Sequence, residues 1–293
     1  MDSLSIVGLS VFGFVTVLLM LFWIGFRRPV PEYTPEPSPE LQKMTAIPEQ
    51  LPEPLVKHFY SLYGSEKIPV YDTAVVWGVA KYKISGLWMP LRFITYFRAG
   101  SSFLRKMDFF WYGKIILKGI DFFIDGIGAV HVNGVMHMKE SGVQVTESQQ
   151  ISFWAESLLT GTMDFSDHRL QWETADTHHI SVTVPEVTDP IHVFFNRKTG
   201  RIESIRTKRF RGQLEKKKIQ WSIRVSKWNK LQTVWMPDYS IAWEDQKKAW
   251  CHYKVLGIAG NASIDEEMKT MDPGLYKDRG IKKKKEQKRT RHK

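Results

Sequence analysis

At 293 residues, with 43% hydrophobic side chains, the chain is long enough to bury a sizeable core. Its only cysteine, Cys251, excludes an intramolecular disulfide and any metal site built on a cysteine pair. The formal charge of +11 lies mostly at the C-terminus, which speaks against a basic nucleic-acid-binding face on the folded body.

Residues 4–26 carry no charged side chain and end at Arg27 and Arg28. At about 1.5 Å per helical residue, such a stretch is long enough to cross a hydrocarbon core of roughly 30 Å. A cleaved signal peptide would need a basic start, a shorter apolar run and small residues after it. Here Asp2 supplies the one side-chain charge before the run, and Phe26 and two arginines follow it. The expectation is an uncleaved single-pass anchor, residues 1–28, with Trp23 at its interfacial end. Arginines on the C-terminal flank alone place the rest of the chain on the cytoplasmic side, with an extracytoplasmic domain as the alternative.

Residues 29–54 hold eight of the fourteen prolines and are expected to form an extended spacer. The main domain is expected over residues 55–260. A first helix is expected near residues 55–63. Phe109, Phe110, Trp111 and Tyr112 stand in a row, so both faces of that strand are apolar. Asp121 and Asp125 bracket Phe122, Phe123 and Ile124 ahead of two glycines, which predicts a strand entering a turn. A second helix is expected after residue 145. Thr146 and Gln149 have capping-box spacing, Ile151, Trp154 and Leu158 share a face, and Gly161 is placed to end it. Strict alternation then marks strands at 180–184, 219–225 and 239–243, and Lys198-Thr199-Gly200 predicts a hairpin between 191–196 and 201–210. One or two helices on a large antiparallel sheet is α+β architecture.

Residues 261–293 form the last segment, expected to be disordered. Residues 277–293 carry ten Lys/Arg against two acids, a net +8 of the +11. Arg27, Arg28 and Asp2 account for a further +1, leaving +2 for residues 29–276. Beside an anionic leaflet, Arg27, Arg28 and the run Lys282, Lys283, Lys284 and Lys285 would contact headgroups at about 1 kcal/mol per basic residue.

The succession ISFWAESLL, HRLQWE, ISVTV, IHVFFNRKTGRIESI, WSIRVSKW and MPDYSIAWE resembles a bacterial family of membrane-anchored or secreted proteins of unknown function. The resemblance covers about residues 70–258. It implies a LolA-like fold: a curved, mainly antiparallel half-barrel closed by one or two helices around an apolar concavity. It supplies no catalytic residues. LolA-type carriers work outside the cytoplasm, whereas the flanks here favour the cytoplasmic side.

No HExxH, GxSxG or Gly-rich phosphate loop occurs, and no cofactor is implied. His131 and His137 share a face but lie roughly 20 Å apart on an unbroken strand, and neighbouring His178 and His179 face opposite ways. The expected function is therefore a membrane-tethered, non-catalytic domain that binds a hydrophobic ligand, lipid or lipid-modified. Phe109, Trp111, Trp154, Trp221, Trp235 and Trp243 are the expected lining. A membrane-anchored interaction or assembly protein with a closed core is the alternative, and a hydrolase stands third.

Overall fold

The computed structural model describes residues 3–31, 43–231, 234–246 and 248–271. Helix α1 (Ser3–Gly25) is followed by strand β1 (Lys43–Ala46), helix α2 (Glu53–Tyr63) and strand β2 (Lys67–Val70), which pairs antiparallel with β1. A meander follows: β3 (Thr73–Ile84), β4 (Leu87–Arg98), β5 (Ser102–Trp111), β6 (Lys114–Ile124), β7 (Ile127–Gly134) and β8 (Met138–Ser141). Helix α3 (Val143–Thr160) leads to a second meander of β9 (Gln171–Asp176), β10 (His179–Thr183), β11 (Ile191–Phe195), β12 (Ile202–Arg209), β13 (Ile219–Leu231) and β14 (Val234–Trp243). Strand β15 (Ala249–Gly260) and the short helix α4 (Asp265–Lys269) end the described chain.

The strands β3–β15 make one 13-stranded antiparallel sheet in the order 8-7-6-5-4-3-15-14-13-12-11-10-9. It does not close, so β8 and β9 are its edges. Strand β15 splices the two meanders by pairing with β14 on one side and β3 on the other. The expected hairpin at residues 191–210 is the β11–β12 pair, and the three alternating runs lie in β10, β13 and β14. The α+β expectation of a large, mainly antiparallel sheet with few helices describes this fold.

Two covers explain why β5 is apolar on both faces. Phe103, Met107 and Phe109 point to the main core with α2 and α3. Leu104, between them, points the other way and packs with Val75, Tyr96 and Phe122 against Ala262, Ile264 and Met268. The segment after β15 thus folds back over the outer face as a small second core. Ordered structure therefore extends past residue 260, and β1 places residues 43–46 of the proline-rich segment in a strand pair. Residues 277–293, with Lys282, Lys283, Lys284 and Lys285, lie outside the described residues.

Helix α3 is buried along most of its length and packs across β6, β7, β8, β12 and β14. It ends, as expected, at Gly161 in the left-handed conformation. Its start departs from the expectation. The N-cap position is Gly142 with no side-chain cap, and Thr146 lies inside the helix. The Thr146 hydroxyl instead accepts a hydrogen bond from the Gly128 N–H of β7 at 3.0 Å, which competes with a local cap.

Helix α1 is uncharged over its 23 residues, and from Leu9 on its apolar side chains are exposed on every side, Phe12 by 72%. Over the residues whose side chains are described, no helix is long and apolar enough to cross a membrane. The span expected at residues 4–26 is therefore a helix here and no more. Its C-terminal end is clasped by the β5–β6 hairpin. The Trp111 indole N–H donates to the Phe22 carbonyl at 3.0 Å, and the Tyr112 N–H donates to the Gly25 carbonyl at 2.9 Å. Phe26 and Arg27 N–H groups take the carbonyls of Trp23 and Ile24, so the last four carbonyls of the helix are all satisfied. A Cβ on Gly25 would lie 2.1 Å from the Trp111 indole nitrogen, so this approach needs glycine.

The seat of α3 on β7 is equally tight: a Cβ on Gly128 would lie 2.7 Å from the Thr146 Cα and 2.9 Å from the Gln149 Cβ. Gly128→Ala should destabilise the full chain by about 1–3 kcal/mol, the usual cost of overpacking, read by urea unfolding. Unchanged stability would mean that α3 is not pressed onto β7.

Candidate functional site

Strand alternation sends a set of charged side chains into the interior. Arg105 follows the inward phase of Phe103, Met107 and Phe109 on β5. Asp121 follows that of Leu117 and Phe123 on β6, and Arg209 that of Ile205 on β12. Glu156 projects from α3 toward them. All four are buried.

Arg105 is fully engaged. Its Nε donates to Thr95 Oγ1 at 3.0 Å, Nη1 to the Tyr253 hydroxyl at 2.9 Å, and Nη2 to Glu156 Oε2 at 2.6 Å. Asp121 Oδ2 lies 3.5 Å from Nη1. The Tyr239 hydroxyl donates to Glu156 Oε2 at 2.7 Å, and the Tyr82 and Tyr253 hydroxyls share a short contact. Burial works against the Arg105 charge, but Glu156, Tyr253 and Asp121 hold its pKa well above the ordinary range. Burial pushes the Asp121 carboxyl up to about 6 against the pull of Arg105. Burial also pulls Arg209 down to about 10, with Glu156 and Asp121 opposing. Cys251, beside Tyr82 and Tyr253, is raised by burial and is no reactive thiolate.

These groups form the polar floor of a cavity of about 330 Å³ between α3 and the inner sheet face. Its walls are mainly apolar, with Phe109, Val132, Met138, Ile241 and the indoles of Trp221, Trp243 and Trp250 among them, and Lys83, Glu140 and Arg211 also line it. Of the six residues expected to line it, Phe109, Trp221 and Trp243 do so. The other three lie elsewhere. Trp111 packs on Phe22 of α1, with ring centroids 5.9 Å apart. Trp154 is sealed in the core beside Phe153, and Trp235 lies under the Arg201 guanidinium at 4.1 Å. Arg27 covers the Trp23 ring at 4.0 Å, and the side chain of its neighbour Arg28 is exposed. Asp125 sits in the expected turn at φ 51°, whereas Asp121 belongs to the buried floor.

Residue-type reasoning passed over Arg105, Glu156 and Arg209, and read Asp121 only as part of a strand entering a turn. The signal was present: each strand charge interrupts the inward, apolar phase of its own alternating strand. Chemically the floor offers no nucleophile with an adjacent base. A histidine pair, His179 Nε2 and His192 Nδ1 at 3.1 Å, lies away from the cavity on β10 and β11. Among the described residues no cluster of three or more His, Cys, Asp or Glu side chains could hold a metal ion. The arrangement can bind an apolar molecule with a polar end.

Residues 42–255 match the profile of a family of unknown function (DUF6544), and the chain belongs to that family. No curated protein matches the chain. Among solved structures it is similar to a LolA superfamily protein from Nitrosomonas europaea, at 7% identity and a TM-score of 0.43, covering 73% of this chain and 94% of that one. It is also similar to a DUF1329 family protein from Desulfovibrio piger, at 8% identity and a TM-score of 0.39, covering 71% and 90%. At these identities and scores the likeness carries no argument about function.

The raised Asp121 pKa has a defined consequence. In the unfolded chain an aspartate titrates near 3.9, so the native state binds the extra proton between about pH 4 and 6. The stability this adds is full below pH 4 and is lost as pH rises through about 6. Between pH 5 and 7.5 the native chain should lose about 1 kcal/mol more than Asp121→Asn, measured by urea unfolding at both pH values. Identical pH dependence in the two would place Asp121 in a more polar setting.

Proposed function

We propose that this member of a family of unknown function is a membrane-tethered, non-catalytic binding protein whose cavity takes an apolar chain of the lipid type. The cavity carries the reading. At about 330 Å³ it is at the small end of the roughly 300–1,000 Å³ typical of ligand pockets, which suits one chain rather than several. Aromatic and aliphatic walls with a few fixed polar groups at one end are the usual composition of such sites.

Helix α1 supports the tether. A helix apolar on all sides either lies inside a protein or in lipid, and here its sides are not covered by the domain. Counted from Ser3, its 23 residues rise ~35 Å, against roughly 30 Å of hydrocarbon core. Arg27 and Arg28 at its end favour a cytoplasmic domain, with the extracytoplasmic arrangement as the alternative. Lys282, Lys283, Lys284 and Lys285 would then reach anionic headgroups of the same leaflet. The clasp of Trp111 and Tyr112 on the last turn of α1 would hold the sheet close to the bilayer surface.

Native mass spectrometry of the full chain, released from non-ionic detergent after incubation with hexadecan-1-ol, tests this reading. The expected result is one bound alcohol per chain. Val132→Phe, which fills the cavity from β7, should weaken uptake by about tenfold or more. No bound mass on the native chain, or undiminished uptake by the filled variant, would overturn it.

A further inference from the structure

Two arginines enter the cavity floor, and they are not equivalent. Arg105 spends its donors on Thr95, Tyr253 and Glu156. Arg209, equally buried, donates from Nη1 to the Ser152 hydroxyl, and its Nε has no partner. Among the described residues no carboxylate lies within ion-pair distance of it. Its guanidinium sits instead over the rings of Trp221, at 5.0 Å, and Trp243, at 5.6 Å. Aromatic faces temper the cost of burying a cation but do not use its N–H groups.

The indole nitrogens around it are in the same condition. Trp221 and Trp250 line the cavity, and the buried Nε1 of each lacks a hydrogen-bond partner. Buried donors in native proteins are nearly always paired, so three unused donors on one cavity point to an acceptor that this cavity is built to receive. Two buried acceptors that line the same cavity, Asp121 Oδ1 from β6 and Gln149 Oε1 from α3, are also unused. They suit a hydroxyl or a protonated acid oxygen beside the anion. Mainly apolar walls and a floor in which Asp121 and Glu156 pair with Arg105 but not with Arg209 fit one molecule with two ends.

Resting on the binding reading above, we infer that the ligand is a single-chain amphiphile with an anionic oxyacid head, carboxylate or phosphate. Its head pairs with the Arg209 guanidinium and the Trp221 indole N–H, while its chain lies along Val132, Met138 and Ile241. Ser152 is a positioning residue that holds the guanidinium from α3.

The test compares three probes of one chain length on the full chain in non-ionic detergent: hexadecanoic acid, hexadecyl phosphate and hexadecan-1-ol. At least one acidic probe should bind about tenfold to a hundredfold more tightly than the alcohol, the effect of charge-assisted hydrogen bonds. The acid that wins identifies the head as fatty acid or phosphate. Arg209→Gln should abolish the preference of the acidic probes over the alcohol, while Arg209→Lys keeps part of it. Should Arg209→Gln fail to fold, Trp221→Phe removes only the indole donor and should reduce the preference several-fold. Equal binding of all three probes to the native chain would overturn the acidic head and leave the apolar cavity standing. Binding of none would instead overturn the binding reading itself. A preference undiminished in the folded Arg209 or Trp221 variants would also overturn the assignment, leaving ordered water as the partner of these donors.

Discussion

The structure depends on one buried cation. Arg105 ties its own strand to β4 through Thr95, to β15 through Tyr253, to β6 through Asp121 and to α3 through Glu156. Taking such a charge out of water costs several kcal/mol, and here hydrogen bonds at all three guanidinium nitrogens and two nearby carboxylates offset this. A well-packed apolar substitute could match the stability. What it could not supply is direction, since Glu156 meets Arg105 only when α3 lies in one rotation and one axial position on the sheet. The polar cluster also resists collapse. An apolar floor would let α3 settle onto the sheet and fill the space that the cavity now occupies.

The same logic organises the sheet as a whole. An open sheet of this width leaves two faces to cover, and the chain covers them with different material. Helices α2 and α3 take the inner face, and the segment after β15 takes part of the outer one. Strand β15 makes this arrangement cohere, because it hydrogen-bonds to both meanders and its end delivers the outer cover. At the far tip of the β5–β6 hairpin, the clasp on α1 fixes where the domain sits relative to its N-terminal helix.

Much of this was legible in the sequence, and the reasons for the remainder are physical. Period-two runs such as Ile219, Trp221, Ile223 and Val225 announce strands because one face is buried along their length. Gly161 announces a helix end because only a left-handed residue completes that turn easily. Pairings distant in sequence leave no local trace, so the position of β15 between β14 and β3 was not readable. Thr146 and Gln149 had the spacing of a cap, yet Gly128 of β7 claimed the hydroxyl. The tryptophans show how far residue type reaches. Trp111, Trp154 and Trp221 are equally apolar on paper, and only the tertiary fold separates a helix clasp, a sealed core and a cavity wall. The charges were the better clue, because Arg105 and Asp121 break the inward phase of strands that have no other reason to bury them.

The central claim is that the space between α3 and the inner sheet face receives an apolar chain. Photocrosslinking tests it most directly: a hexadecyl chain carrying a diazirine near its end, irradiated with the full chain in detergent, followed by peptide mapping. The account predicts adducts on β7, β13, β14 and the cavity-facing side of α3, around Val132, Trp221, Trp243 and Ser152. Adducts confined to α1 and the outer surface would contradict it.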